Sequence, residues 1–226
     1  MIVLSIDAST QGCSVAVFEN DSLLASFESN VERSSAESLT NMIKHVLQIS
    51  KVEFAQLDAI GVAKGPGSYT GLRIAVSTAK GLCVGLGKPL LSFGTLEGML
   101  HQVADLPLDS YLLCPMIDAR RMEVFSGIYQ KDNFEVVEEV SANIIDAESF
   151  ADILARNKIV FFGEGSAKCK TTLTHSNAVF YGENISPNAK FSGKILYEKY
   201  KNGEFEDLVT FEPFYLKEYM FKTKKP

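Results

Sequence analysis

The chain is short of positive charge. Its 22 lysines and arginines face 28 aspartates and glutamates, a formal net charge of −6 over 226 residues. A protein that grips RNA by its own field needs a basic surface, because phosphate neutralisation dominates such affinity. The balance argues against tight unaided RNA binding and leaves nucleic acid as a distant substrate, and the basic stretch "KEYMFKTKKP" at residues 217–226 reads as a solvated end. Long apolar runs are also missing: none nears the roughly 18 residues that a membrane span takes. The opening "MIVLSIDAST" has no cationic leader and soon meets Asp7, so a strand is expected there rather than a secretion signal. Cys13, Cys83, Cys114 and Cys169 form no CxxC, which argues for buried thiols in a reducing cytoplasm and against zinc or disulfides. The histidines at 45, 101 and 175 make no i, i+4 pair, and no Ser-His-Asp or Cys-His signature accompanies them. Metal ligation and nucleophilic catalysis both lack their imidazoles.

What is present is ordinary globular material, 46% hydrophobic and 22% charged, which separates it from disordered chains. "IVLSIDAS" and "CSVAVFEN" predict a β-hairpin, with "LLASFESN" as a third strand. "SSAESLTNMIKHVLQIS" carries a capping box from Ser34 to Glu37 and apolar residues at 39, 42, 43, 46 and 47, the spacing of an amphipathic helix. "LDAIGVAK" predicts a strand, followed by a glycine loop and a helix to about residue 86. "GKPLLSF" and "GTLEGMLHQVAD" then predict another strand and another helix.

The second half starts over. At an offset of 111 residues, Ile6, Asp7, Ala8 and Asp21 align with Ile117, Asp118, Ala119 and Asp132, and Val17 and Phe18 with Ile128 and Tyr129. Each copy reads as a strand ending in Ile-Asp-Ala, a turn and a second strand. Two related lobes are expected, residues 1–105 and 106–226, with the final segment returning to the first lobe. "KIVFFGEGS" predicts a buried strand, "AKFSGKILYEKYKNG" a helix stopped by Gly203, and "FEPFYLKEY" an extended end. A duplicated α/β lobe of hairpin, third strand and helix–strand–helix is the organisation of the actin, sugar-kinase and Hsp70-ATPase (ASKHA) fold. That likeness alone fixes no function.

The stretch "VAKGPGSYTGLRIAVSTAKGL", residues 62–82, bears on function most directly. It is no P-loop, since no GKS or GKT follows, and no dinucleotide fingerprint, since its spacing is GxGxxxG. Glycines permit positive φ and close backbone approach, Pro66 stiffens the turn, and Ser68 can cap the following helix. Two readings stay open. In one, Gly65, Gly67 and Ser68 join Asp7, Ser9 and Asp118 as candidate nucleotide or phosphate contacts, since a helix start presents N–H groups to an anion. In the other the loop is a tight turn without a ligand. The helix itself has an apolar stripe at Leu72, Val76, Ala79, Cys83 and Leu86. A second, small-residue face holds Ile74, Ala75, Thr78, Gly81, Leu82 and Gly85. One face suffices to dock a helix on its sheet. The second is expected to receive another helix, and Leu39, Met42, Ile43 and Val46 are expected to extend that contact across a subunit boundary.

These residues resemble the TsaB family, also called YeaZ. The resemblance rests on "IVLSIDASTQGCSVAVFEN", "GVAKGPGSYTGLRIAVSTAKGL", "IDARRMEVFSGIYQ" and "EPFYLK", which span the chain. It implies a non-catalytic subunit of the machinery that makes threonylcarbamoyladenosine at position 37 of ANN-reading tRNAs. The partners it implies are a TsaD-like catalytic subunit, a TsaE-like ATPase on that pair, and a second copy of the chain when alone. TsaC supplies threonylcarbamoyl-AMP, and tRNA is met only indirectly. It also implies a cytoplasmic protein with no metal and no cofactor of its own, and ATP or ADP at the complex interface. The TsaD relatives carry His-x-Glu-Gly-His where this chain reads Thr95-Leu96-Glu97-Gly98-Met99. Threonine and a thioether do not replace two imidazoles at a transition metal. The alternatives are a weak ATP hydrolase using Asp7 and Asp118 with magnesium, and a metallopeptidase.

Overall fold

The computed structural model describes residues 1–31, 35–108 and 110–216, with the side chains of 35–37 left aside. The Ser34–Glu37 capping box and the stretch 217–226 therefore lie outside the described residues. The first sheet is built from β1 (Ile2–Asp7), β2 (Cys13–Glu19), β3 (Ser22–Ser29), β4 (Ala59–Gly65) and β5 (Leu90–Gly94) in the order β3-β2-β1-β4-β5. β1 runs antiparallel to β2 and parallel to β4. The second contains β6 (Tyr111–Asp118), β7 (Glu123–Gln130), β8 (Val136–Ile144), β9 (Lys158–Phe162) and β10 (Ala178–Phe180). Read as β8-β7-β6-β9-β10, its order matches the first, and β6 likewise pairs antiparallel with β7 and parallel with β9. Asp7 and Asp118 end corresponding strands, so the sequence repeat is a structural one.

Strand alternation divides each sheet into two buried faces. Leu4, Ile6, Val15, Val17, Ile60 and Val62 meet α1 (Ser35–Ser50) and α2 (Tyr69–Leu86). The opposite face, with Val3, Ala59, Ala63, Leu91 and Phe93, meets Ile195 and Leu196 of α5 (Gly193–Asn202). Position 61 on that face is a glycine, where a Cβ would sit 2.4 Å from the Leu196 side chain. In the second sheet, Leu113, Ile117, Phe125, Val160 and Phe162 are covered by Leu96, Met99 and Leu100 of α3 (Thr95–Leu100). Its other face holds Cys114, Met116, Phe161 and Leu154, the last from the short α4 (Ala151–Leu154).

The covering helices are exchanged between the halves. α3, from the first half of the sequence, covers the second sheet, and α5, from the second half, covers the first. From Asn188 onward the chain lies against the first sheet: Ser192 Oγ and Ser5 Oγ are 2.7 Å apart, Glu206 bridges to Leu90, and Phe211 enters the first core. Packing thus groups residues 188–215 with the first sheet, although chain order puts them in the second half, while Leu216 packs beside the second sheet's core. α3 is shorter than its pattern predicts. After Leu100 the backbone tightens into i→i+3 turns, with Gln102 N–H donating to Met99 O and Val103 N–H to Leu100 O. All four cysteines are buried thiols.

Candidate functional site

At the carboxyl ends of β1 and β4 the glycine loop closes on its own chain. Ser68 N–H donates to Ser9 O at 2.6 Å, Gly71 N–H to Ser68 Oγ at 3.3 Å, and Leu72 N–H to Ser68 O at 2.9 Å. A Cβ at Gly67 would lie 2.1 Å from Ser9 O, and one at Gly71 would lie 1.9 Å from Ala8 O. Gly65 has φ +112° and lies under the Phe214 carbonyl. The glycines are required by the end of β1 and by the returning chain. The tight-turn reading thus accounts for all three without a ligand.

Asp7 and Ser9 are both buried. Asp7 Oδ1 accepts from Ser9 N–H at 2.8 Å and Ser9 Oγ–H at 2.6 Å, while Oδ2 has no hydrogen-bond partner. Burial raises the Asp7 pKa, and the two Ser9 bonds oppose that shift only in part. Asp118, by contrast, is exposed. Its Oδ1 is engaged by the Lys168 ammonium and by Arg120 N–H at 2.7 Å. The two aspartates thus occupy matching strand ends in opposite environments.

Between the halves lies a cavity of about 190 Å³. The β1–β2 turn residues Thr10, Gln11 and Gly12 line one side, and Glu28, Glu164 and Asn188 are also exposed to it. Asn188 Nδ2 donates to Glu28, whose carboxylate also faces Lys190 Nζ at 3.9 Å. Burial and the nearby Asp118 carboxylate raise the Glu164 pKa. Small-molecule pockets usually start at roughly 300 Å³. Two carboxylates in the cavity wall, Glu28 and Glu164, oppose an entering anion. Glu28, Glu164, Asn188 and Lys168 escape sequence reading because their partners are tens of residues away, 160 in the Glu28–Asn188 case.

In α3, Thr95 and Met99 are fully buried, and Thr95 Oγ1 has no partner. Glu97 turns back to accept from Gly94 N–H at 3.0 Å, an N-terminal cap. The Met99 methyl packs against Gly163, where a Cβ would sit 2.5 Å away. A hydroxyl, a thioether and a carboxylate spent on a cap are not a donor set for iron or zinc. Among the described residues no group of three His, Cys, Asp or Glu side chains is placed to hold a metal ion.

The last feature is the outer surface of α1 and α2. Here the structure corrects the expected interface: Leu39, Ile43, Val46 and Ala75 are at most 2% exposed and face their own sheet. The helix period carries them inward together with Val76 and Ala79, so they cannot touch a second chain. Met42, Ile74, Thr78 and Leu82 remain half-buried, and Gly81 and Gly85 are exposed. A Cβ at either glycine would meet nothing within 4 Å. Ile49 and Val84, 63% and 72% exposed, extend this open face, and sequence reading missed both. Their apolar character at outward helix positions was the available signal.

Comparison with known proteins agrees with this architecture. Residues 27–223 match the family model described as TsaD, tRNA N6-adenosine threonylcarbamoyltransferase. The chain is 26% identical to the tRNA threonylcarbamoyladenosine biosynthesis protein TsaB of Haemophilus influenzae, covering 100% of this chain and 98% of that protein. It is 33% identical to the Escherichia coli TsaB over 58% of this chain and 56% of that protein. The structure described as YeaZ from Pseudomonas aeruginosa superposes with a TM-score of 0.80 at 26% identity, covering 95% and 99% of the two chains. The activator of 2-hydroxyisocaproyl-CoA dehydratase from Clostridium difficile, solved with bound ADPNP, shares the fold at a TM-score of 0.52 and 8% identity, covering 90% and 97%.

Proposed function

Because this chain belongs to the family described as TsaD, tRNA N6-adenosine threonylcarbamoyltransferase, and to the TsaB/YeaZ proteins, we propose that it is a non-catalytic subunit for threonylcarbamoylation of adenosine 37 in ANN-reading tRNAs. The observation that carries the reading is α3, where buried Thr95 and Met99 stand in the positions at which the resemblance implies metal-binding imidazoles. A chain without those donors contributes by binding, and the open face of α1 and α2 is the surface we assign to that task. Gly81 and Gly85 let a partner helix approach the α2 backbone closely, with Ile74, Thr78, Leu82 and Met42 around them.

In this reading a TsaD-like transferase occupies the face in the assembly, and a second copy of the chain takes the same face when no partner is present. A TsaE-like ATPase then joins the pair. The chain keeps no cofactor of its own, ATP or ADP binds at the seam with the partner, and the assembly works in the cytoplasm. The rival ATP-hydrolase reading finds less support, since Lys168 already neutralises Asp118 and the loop N–H of Ser68 is spent on Ser9. Co-elution with a TsaD-type transferase is the test. The wild-type chain is expected to form a complex and Gly81→Glu to lose it while keeping a cooperative melting transition. A Gly81→Glu chain that binds as tightly as the wild type would remove this face from the proposal.

A further inference from the structure

The hairpin tip between β6 and β7 carries two consecutive arginines in left-handed backbone conformations, Arg120 at φ 75° and Arg121 at φ 51°. They are the only adjacent pair of non-glycine residues at positive φ among the described residues. The left-handed region disfavours any side chain with a Cβ, and glycine or asparagine is the ordinary occupant. Backbone strain of this kind persists where the surrounding structure enforces it, and it gathers at functional sites. The enforcement is visible here. Arg120 N–H donates to Asp118 Oδ1, Glu123 N–H donates to Arg120 O at 3.1 Å, and Ala119 N–H donates to Glu123 O at 3.0 Å. Lys168 pins the base of the hairpin by donating to both Asp118 and the Glu123 carbonyl.

Both arginines are exposed. Neither guanidinium has a hydrogen-bond, ion-pair or aromatic partner among the described residues. The corresponding tip in the first lobe is built differently, since its Ser9 carbonyl is tied to Ser68 and its Gly12 lies close against the Ser29 carbonyl. One tip is closed on the protein. The other holds two unspent forks of N–H donors in solvent, on a rigid turn, in a chain otherwise rich in carboxylates.

Against the expectation that tRNA is met only indirectly, we propose that Arg120 and Arg121 form a contact site for the phosphodiester backbone of the RNA on which the assembly acts. This rests on the reading of the chain as a subunit of a tRNA-modifying complex. Guanidinium forks match phosphate oxygens bidentately, which a lysine ammonium does not reproduce. Two contacts are too few for the acidic chain to hold RNA alone. Within a complex whose partner supplies most of the affinity, they fix the register of the strand.

The test uses the complex of the full chain with a TsaD-type transferase and an unmodified ANN-reading tRNA, titrated over a range of salt. Arg120→Asn with Arg121→Gly places residues suited to left-handed backbone at both positions, so the fold is expected to melt no lower than the wild type. The proposal expects RNA affinity to drop roughly tenfold and the slope of log K against log salt to shrink by about 1 to 2. Arg120→Lys with Arg121→Lys keeps the charge and is expected to keep the slope while weakening binding. Should the Asn/Gly chain misfold, Arg120→Gln with Arg121→Gln reads the same loss. Unchanged affinity and slope in the neutral variants overturn the proposal. So does loss of the transferase complex with RNA binding retained, which would make the tip a protein contact. Co-elution measured on the same variants, with Gly81→Glu alongside, keeps failure of this site distinct from failure of the subunit reading.

Discussion

Gly67 and Gly71 show how a missing Cβ lets two backbone segments meet. Both keep a helix start against the end of β1, with backbone oxygens about 2 Å from where a side chain would begin (2.1 and 1.9 Å). Gly71→Ala is expected to destabilise the fold by about 1–3 kcal/mol, the usual cost of overpacking a tight site; denaturant titration checks it. Asp7 makes a second prediction. Burial raises its folded pKa above the unfolded value near about 3.9. The folded state therefore holds the proton more firmly than the unfolded one. That contribution to stability is complete below about pH 4 and is lost as pH climbs through the raised folded value. Asp7→Asn is expected to flatten this part of the stability–pH curve, measured as melting temperature across pH. An identical slope in the variant would mean that another group is titrating.

The helices carry the argument for binding. Gly81 and Gly85 sit inside α2, where glycine costs up to about 1 kcal/mol relative to alanine, and neither position is crowded. Gly81→Ala and Gly85→Ala are expected to stabilise the monomer, each by about 0.5–1 kcal/mol, while weakening association. A loss of stability at dilutions where the chain is monomeric would mean that the face is not open. Strong periodicity made α1, α2 and α5 legible in the sequence. The candidate interface was only half legible, because an apolar stripe marks buried positions without telling a sheet from a partner. That ambiguity put Leu39, Ile43, Val46 and Ala75 on the wrong side. β8 went unread because "VVEEVSANI" is an exposed edge strand with little alternation. β10 and α4 are too short to hold a period, and both exist through contacts with β9 and its neighbours.

At the scale of the molecule, the repeat of hairpin and strand order could be read from Ile-Asp-Ala and its echo 111 residues on. The exchange of covering helices could not. It depends on Gly61 admitting Leu196 and on Met99 fitting against Gly163, pairings that no local pattern announces. Either half alone would leave one sheet face bare, Val3, Ala63, Leu91 and Phe93 in the first case. Residues 1–108 expressed by themselves are accordingly expected to show exposed apolar surface by dye binding and to lack sharp tertiary signals. Co-expression with residues 109–226 is expected to restore them. A well-packed isolated first half would contradict the exchange as a source of stability.

In the proposed reading this chain acts through its surface and its partner does the chemistry. The direct measurement is threonylcarbamoyladenosine formation on an ANN-reading tRNA supplied with threonylcarbamoyl-AMP, using the transferase alone, this chain alone, both together, and the transferase with Gly81→Glu. Expected are no product from this chain alone, strong stimulation of the transferase by the wild-type chain, and little stimulation by Gly81→Glu. Product formed by this chain without the transferase, or full stimulation by Gly81→Glu, would contradict it.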